Sequence, residues 1–422
     1  MCHADHSRSP QDGGPTAVTR VFVLQALLPN YRVPFFRRLA MLPDINLTVF
    51  YSAPAAEASA AGLRNSEELD GFTSVRLPMV DTRWGSYQFR LILYVLRERP
   101  DVIVSGKGTG LDSLLAMWLG KLIGARTLWF FGGVPFMDEE RMEAYFRRGR
   151  LGRLLGRRNP HRMLERLADG MIVYSQHARD YYAARGFAPD KIHVAPNAPD
   201  TGVLISACES LEKDAAPVND LKRRLGLQDC RIVLLIGRLN AARRLEDLLC
   251  AMKAVQQQEL QTGLVVVGDG PEKDRLQALC ESLSLQHVCF EGAVYDDHRL
   301  ATYLMLCDIY CTPGIASLTV KMAMACGRPV VTADYGLELS AVADGWNGIV
   351  FTMGDRGGLT NALVTLLRDN HLRLKMGRRG RTLVDEKFNM ENMTTSFAEG
   401  IRTAARGARG AVSAGLQGDG PP

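Results

Sequence analysis

Short apolar, β-branched runs alternate with longer amphipathic stretches along most of the chain. Candidate strands in the first half are Val21–Leu27, Ile45–Tyr51, Val102–Ser105, Thr127–Phe131, Met171–Tyr174 and Ile192–Ala195. The second half repeats the pattern at Ile232–Ile236, Leu264–Val267, Val288–Glu291, Ile309–Thr312 and Pro329–Thr332. Runs that stay apolar without alternating need cover on both faces, and intervening helical patterns of about 10–15 residues supply it, so parallel sheets are predicted. The fold class read from this order is α/β, with two doubly wound, Rossmann-like domains facing a cleft at the carboxyl ends of their strands, where open α/β sheets bind ligands.

The predicted organisation is a disordered lead over 1–18, an N-terminal acceptor-side domain over 19–205 and a C-terminal domain over 215–388. A last helix over 389–406 has the option of crossing back to the first domain, and the Gly/Ala/Pro tail 407–422 reads as disordered. The joint is placed in Asp200–Leu221, read as polar and irregular, and the closing helical patterns are Leu359–Leu367, Leu372–Leu383 and Met390–Ala404.

Composition narrows the class. Of 422 residues, 46% are hydrophobic and 23% charged, which excludes a wholly disordered chain, a collagen and a coiled coil. No run of about 18 apolar residues predicts a membrane-spanning helix, and the polar N-terminus lacks the apolar core of a secretory signal. The 51 Lys and Arg against 46 Asp and Glu leave a net charge of +5, too weak to argue a nucleic-acid partner. The nine cysteines form no C-x-x-C pair and no zinc-spaced cluster. Cys250, Cys280, Cys289, Cys307 and Cys326 sit among apolar residues, as buried thiols in a reducing cytoplasm would. No metal site and no bound cofactor are expected.

Candidate chemistry lies in the loops that follow the second-half strands. A P-loop and a G-x-S-x-G elbow are absent. Gly237-Arg238-Leu239-Asn240-Ala241-Ala242-Arg243-Arg244 places a glycine at a strand end with one cation beside it and another before the next helix. Guanidinium forks bind phosphate oxygens in pairs and stay charged, so this loop suits a pyrophosphate; for G-R-L in isolation a solvated loop with surface arginines is the better reading. Gly268-Asp269-Gly270-Pro271-Glu272 reads as a strand-to-helix connector. Thr312 to Thr319 is a small-residue loop opening a helix, and unpaired amides at Ser317, Leu318 and Thr319 would favour a phosphate. An ordinary helix capped by Ser317 is the plainer alternative.

G-R-L, then G-D-G-P-E, then P-G-x-x-S-L-T followed by Ala323-Met324-Ala325-Cys326-Gly327-Arg328-Pro329-Val330-Val331 resembles the family 4 glycosyltransferases of the GT-B fold. The resemblance covers most of the second half. In the first half, Leu28-Pro29-Asn30-Tyr31-Arg32-Val33-Pro34-Phe35-Phe36 and Ala195-Pro196-Asn197-Ala198 look like the same family's acceptor-side loop and interdomain segment. The resemblance implies a retaining, metal-independent transferase whose donor is a nucleoside-diphosphate sugar and whose acceptor is a polysaccharide or a lipid-linked glycan. It assigns the diphosphate to Arg238 and Arg243 with Gly237, the second phosphate to the amides of Ser317, Leu318 and Thr319, and the base pocket to the Gly292–Val294 loop, with Gly292 and Val294 lining it. Tyr31, Arg32, Gly132 and Gly133 fall on the acceptor side.

Common members carry two glutamates eight residues apart. The corresponding positions here are Gly314 and Met322, so the chain resembles a branch that reads P-G-x-x-G-L, with Ser317 for the Gly and Met322 for a frequent His. Glu338 matches an acid of that branch and is a candidate for the donor hydroxyls; a plain surface carboxylate is the alternative. Relatives of that branch place a His near Phe131, which this chain lacks. These departures motivate a second reading, a degenerate relative that binds nucleotide sugar or lipid without turnover, and a nucleotide-sugar epimerase ranks third for want of acid/base groups. Between Phe146 and Arg166, the cations Arg147, Arg148, Arg153, Arg157 and Arg158 are interleaved with Leu151, Leu154 and Leu155. That composition suits an anionic membrane surface, with a solvated helix or a nucleic-acid-like stripe as the alternative; the membrane is the favoured reading, and the expected location is cytoplasmic with peripheral membrane association as an option.

Overall fold

Every apolar run named above forms a strand in the structure, a computed structural model that describes residues 17–52, 66–78, 80–82, 85–106, 111–131, 167–184, 186–258 and 260–415. The strands of the first half are β1 (Thr19–Leu24), β2 (Ile45–Ser52), β3 (Thr73–Leu77), the short pair β4 (Val80–Thr82) and β5 (Gly85–Tyr87), then β6 (Val102–Ser105), β7 (Arg126–Phe131), β8 (Gly170–Val173) and β9 (Ile192–Val194). Helices α1 (Val33–Ala40), α2 (Arg90–Glu98), α3 (Leu111–Leu122) and α4 (Gln176–Ala183) lie between them. One seven-stranded sheet runs β3-β2-β1-β6-β7-β8-β9, with β1 parallel to both β2 and β6.

In the second half α5 (Gly202–Lys213) and α6 (Ala216–Arg224) precede β10 (Arg231–Ile236). There follow α7 (Leu245–Gln256), β11 (Thr262–Val267), α8 (Lys273–Ser282), β12 (Val288–Phe290), α9 (Asp297–Leu306), β13 (Ile309–Thr312), α10 (Thr319–Ala325), β14 (Val330–Ala333) and β15 (Gly348–Phe351). Helices α11 (Arg356–Arg368), α12 (Asn370–Glu386) and α13 (Met390–Gly415) close the chain. The six strands are all parallel in the order β12-β11-β10-β13-β14-β15.

The burial pattern explains why these strands read as unbroken apolar runs. Leu234, Ile236, Val265, Val267 and Tyr310 pack into one core, while Val233, Leu235, Leu264, Val266, Ile309 and Cys311 pack into another. Successive side chains point to opposite faces, so a strand covered on both sides must be apolar at every position. Fully burying each Val, Leu or Ile contributes about 1.5–3 kcal/mol before the conformational entropy of ordering the chain is set against it.

The stretch Asp200–Leu221, read above as irregular, is instead largely helical. Leu204, Ala207 and Cys208 recur at helical spacing and are buried on α5, a stripe that the surrounding Glu and Lys residues obscure in the sequence.

The chain divides into two compact units. One comprises Met1–Leu128, Arg166–Asp169 and Ile401–Pro422; the other comprises Trp129–Glu165 and Gly170–Gly400. The last helix begins in the second unit, where Phe397 meets Phe130 edge-on at 5.0 Å between ring centres. It ends in the first, where Arg402 donates to both carboxylate oxygens of Asp44 at 2.6 and 2.9 Å. That fork holds the Asp44 carboxyl below its ordinary range.

Candidate functional site

In the second unit, four strand-end loops lie side by side in sheet order, and glycines are what let them meet. A Cβ on Gly268 would stand 1.8 Å from the Gly237 carbonyl oxygen, and one on Gly270 would stand 2.2 Å from that of Leu239. The approach is closed by hydrogen bonds: Leu239 N donates to Asp269 O at 2.9 Å, and Glu272 N donates to Leu239 O at 3.1 Å. On the far side, Gly268 N donates to Gly292 O at 2.7 Å, which seats the Gly292–Val294 loop beside the G-D-G turn. The G-D-G-P-E segment is thus a connector, as its sequence reads, and also the brace of the G-R-L loop.

The loop after β10 forms a short 3-10 turn, Ala241–Arg243, and then reverses at Arg244, whose φ of 51° is left-handed. A side-chain-bearing residue costs roughly 1–2 kcal/mol in that conformation. Arg244 is held there because its Nε donates to Asp247 at 2.6 Å, and buried Asp247 also accepts from Arg356 at 2.8 Å. The reversal turns Arg243 back over the strand end. Its guanidinium lies over Gly237, and its Nη1 donates to the Ile315 carbonyl at 2.7 Å. Arg243 therefore bridges the loop after β10 to the loop after β13. Arg238 is half-buried on the same loop.

Gly314 makes that bridge possible. A Cβ there would stand 2.3 Å from the Ala242 carbonyl oxygen and 2.7 Å from the Arg243 carbonyl carbon, both backbone atoms that cannot swing aside. Ile315 N completes the seam by donating to Ala242 O at 3.2 Å. A Gly314→Ala variant is expected to lose about 1–3 kcal/mol of stability through this overlap, read as the shift in a urea unfolding curve. An unchanged midpoint would show that the loops are not pressed together. Glutamate, which many relatives were expected to carry here, has no room on this backbone.

Beyond Gly314, a chain of hydroxyls ties the same two loops together. Ser317 Oγ lies 2.8 Å from Thr319 Oγ1, which lies 2.5 Å from Tyr310 Oη. Tyr310 Oη and Thr319 Oγ1 both reach the Ile236 carbonyl, at 3.3 and 3.4 Å. Burial pushes the Tyr310 phenol up to about 12, so it stays a neutral donor. Ser317 does not cap α10: the cap position is Leu318, with no side-chain bond to the helix, and the Ser317 hydroxyl is turned to Thr319.

Glu338 is neither exposed nor alone. It is buried on the short helix Leu337–Ala341, where Oε1 accepts from Asn197 Nδ2 at 2.7 Å and Oε2 pairs with Lys321 Nζ. Lys321 is buried on α10, also donates to the Asn197 carbonyl, and lies 4.4 Å from the centre of the Phe388 ring. The loop leading to Glu338 is docked on the Gly314 loop, since Ala316 N donates to Tyr335 O at 3.0 Å. The sequence reading overlooked Lys321 and used Asn197 only as part of a motif. The signal was a single Lys inside the apolar run Val320–Cys326, which needs a counter-charge to be buried.

In the first unit, Tyr31 is exposed in the turn Asn30–Arg32, with the Arg32 guanidinium 5.3 Å from its ring centre. Gly132, Gly133 and the arginines 147, 148, 153, 157 and 158 lie outside the described residues. Among the described residues no helix is long and apolar enough to cross a membrane, and no group of three or more His, Cys, Asp or Glu side chains is placed to hold a metal ion.

Comparison with known proteins places these loops in context. Residues 218–383 match the family model for glycosyl transferases group 1, and residues 45–198 match that for a glycosyl transferase 4-like domain. An N-acetyl-alpha-D-glucosaminyl L-malate synthase from Bacillus anthracis is 26% identical over 182 residues, which are 43% of this chain and 48% of that protein. A phosphatidyl-myo-inositol mannosyltransferase from Mycobacterium leprae is 34% identical over 148 residues, 34% of this chain and 39% of that protein. The chain thus spans about half or less of the length of these two curated relatives. Among solved structures, Anabaena HepE in complex with UDP superimposes with a TM-score of 0.70 at 17% identity, over 92% of this chain and 100% of that one.

Proposed function

Because the chain belongs to the group 1 glycosyl transferases and has the GT-B fold, we propose that it moves a sugar from a nucleoside-diphosphate sugar to a polysaccharide or lipid-linked acceptor, with retention and without a metal. The observation that carries the reading is Arg243, turned back over Gly237 and bonded across to the Ile315 carbonyl. It puts a permanent cation between two strand-end loops, one bearing Arg238 and the other leading to the Ser317, Leu318 and Thr319 amides.

The hard step is departure of the nucleoside diphosphate, on which negative charge develops as the bond to the sugar breaks. Arg238, Arg243 and the amides meet that charge from positions already fixed by folding, which is where electrostatic stabilisation is most effective. An acceptor hydroxyl entering on the face that the leaving group vacates needs no side-chain nucleophile. The diphosphate then spans the loops after β10 and β13, and the base lies toward Gly292 and Val294. A lipid-linked acceptor accords with the mannosyltransferase relative, whose name specifies a phosphatidyl-inositol. It also accords with the arginine-rich segment 147–158, which we assign to the anionic inner face of a membrane, with the enzyme on its cytoplasmic side.

A specific observation also favours the second reading, binding without turnover. Glu338 is engaged by Lys321 and Asn197, and Gly314 leaves no space for an acidic side chain. Titration with UDP, GDP and ADP, followed by hydrolysis assays on UDP-glucose and GDP-mannose, separates the two: release of free sugar supports the transferase, and tight binding with intact donors supports the binder. Arg238→Ala is expected to weaken nucleoside-diphosphate binding by at least about 1.5 kcal/mol, the value of a charge-assisted hydrogen bond. An unaltered dissociation constant in the folded variant removes Arg238 from the site.

A further inference from the structure

We propose that the outer face of α2 and α3 in the first unit is a docking surface for an anionic phospholipid bilayer. The face is defined by what the two helices leave uncovered. At the N-cap of α2 and along it, Phe89, Leu93 and Leu96 are 44%, 66% and 45% exposed, while Leu91 and Val95 on the opposite side are fully buried. Positions i, i+4 and i+7 fall in one narrow arc of a helix, so the three side chains form a single apolar stripe turned away from the core. On α3, Trp118 and Leu122 are 50% and 64% exposed at i and i+4. The two helices pack against one another, and α3 is seated hard on the sheet: a Cβ on Gly120 would stand 2.5 Å from Ile103 Cδ1. The apolar groups are therefore presented by rigid elements and are not the swing of a loose loop.

Charge selects the occupant. Arg90 and Arg97 border the stripe on the helix surface and Arg99 follows at its end, all exposed, while the one acid of α2, Glu98, falls on the opposite side of the helix from the stripe. The acid at the start of α3, Asp112, is buried and accepts from Gln88 N at 3.0 Å, so it does not face outward. Leucines and a phenylalanine flanked by arginines fit the boundary between acyl chains and headgroups, where the apolar groups sink in and the guanidinium groups reach lipid phosphates. Trp adds a broad apolar ring with one polar edge, the form favoured at that depth. A membrane suits the patch better than a single protein partner because it extends beyond the apolar stripe and engages the flanking arginines at the same time.

The surface is distinct from the arginine-rich segment 147–158 and does not depend on the transferase reading. It shares with the assignment of that segment only the anionic membrane, and the test keeps the two apart. The full chain is floated with vesicles of phosphatidylcholine alone and of phosphatidylcholine mixed with phosphatidylglycerol. Wild type is expected to float with the mixed vesicles and not with phosphatidylcholine alone, and L93S/L96S/W118S is expected to lose at least about tenfold in partitioning. These side chains are half exposed or nearly so, and the variant is expected to stay folded with a modest drop in its unfolding midpoint. As a measurement on unperturbed protein, brominated phosphatidylglycerol quenches tryptophan emission on binding, and W118F removes most of that quenching. If R153S/R157S/R158S loses the vesicles while L93S/L96S/W118S keeps them, the membrane assignment of the arginine-rich segment stands and this surface is wrong. Wild type that ignores anionic vesicles overturns both. A concentration-dependent dimer that L93S/L96S/W118S abolishes, without vesicle binding, makes the face a protein interface and overturns the proposal.

Discussion

Lys321→Met lowers the unfolding free energy of the second unit by about 3–5 kcal/mol, measured by urea denaturation with far-UV circular dichroism. The size follows from burial. Lys321 and Glu338 are both almost wholly withdrawn from water, and removing the cation strands a carboxylate with only Asn197 as partner. The pair itself is a different matter from its rupture. Two charges taken out of water each cost several kcal/mol, and their mutual attraction roughly returns that cost, so removing both is mild. K321M/E338Q is accordingly expected to regain most of what K321M loses. If the single variant loses less than about 1 kcal/mol, water reaches the pair and it is no buried clasp. If the double variant is as weak as the single, the loss comes from the packing of the Lys321 stem against Phe388 and not from charge.

Arg243→Ala weakens nucleoside-diphosphate binding by about 3 kcal/mol, or more than a hundredfold in dissociation constant, measured by calorimetry with UDP or GDP. Two losses combine in this residue. The first is a charge-assisted fork to phosphate; the second is the bond to the Ile315 carbonyl, which keeps the loop after β13 beside the loop after β10. Arg243→Lys separates them, since an ammonium keeps the charge but not the planar fork, and it should recover only part of the binding. A wild-type dissociation constant in the alanine variant would show that the bridge is structural and that phosphate is held elsewhere.

The sheets were legible because parallel strands covered on both faces are unbroken apolar runs, as at Val21–Leu24, Ile232–Ile236 and Leu264–Val267. Strands at the rims were less so. β3, Thr73–Leu77, is an edge strand with only one buried position, and β15, Gly348–Phe351, is four residues long and opens on glycine; neither carries a periodic signal. Helix α5 was missed because its buried stripe is only three small or medium side chains wide among charges. At the site, the glycines and Arg243 were visible as strand-end punctuation. The reversal at Arg244 was not, because nothing in Arg-Arg-Leu announces a left-handed residue; it depends on Asp247, which is itself fixed by Arg356 more than a hundred residues later. The clasp of Lys321, Glu338 and Asn197 was equally hidden, since Asn197 is more than a hundred residues from the other two and only the fold brings them to one place.

The interlocked glycine loops carry one more implication. Their amides and carbonyls are bonded to one another across Gly237, Gly268, Gly292 and Gly314, so a nucleotide meets scaffolding that is already assembled. The disorder that a mobile lid would have to surrender at each encounter is given up once, when the chain folds. Discrimination among bases must then come from shape, because an ill-matched ring cannot be accommodated by remodelling one loop without unseating its neighbour's strand.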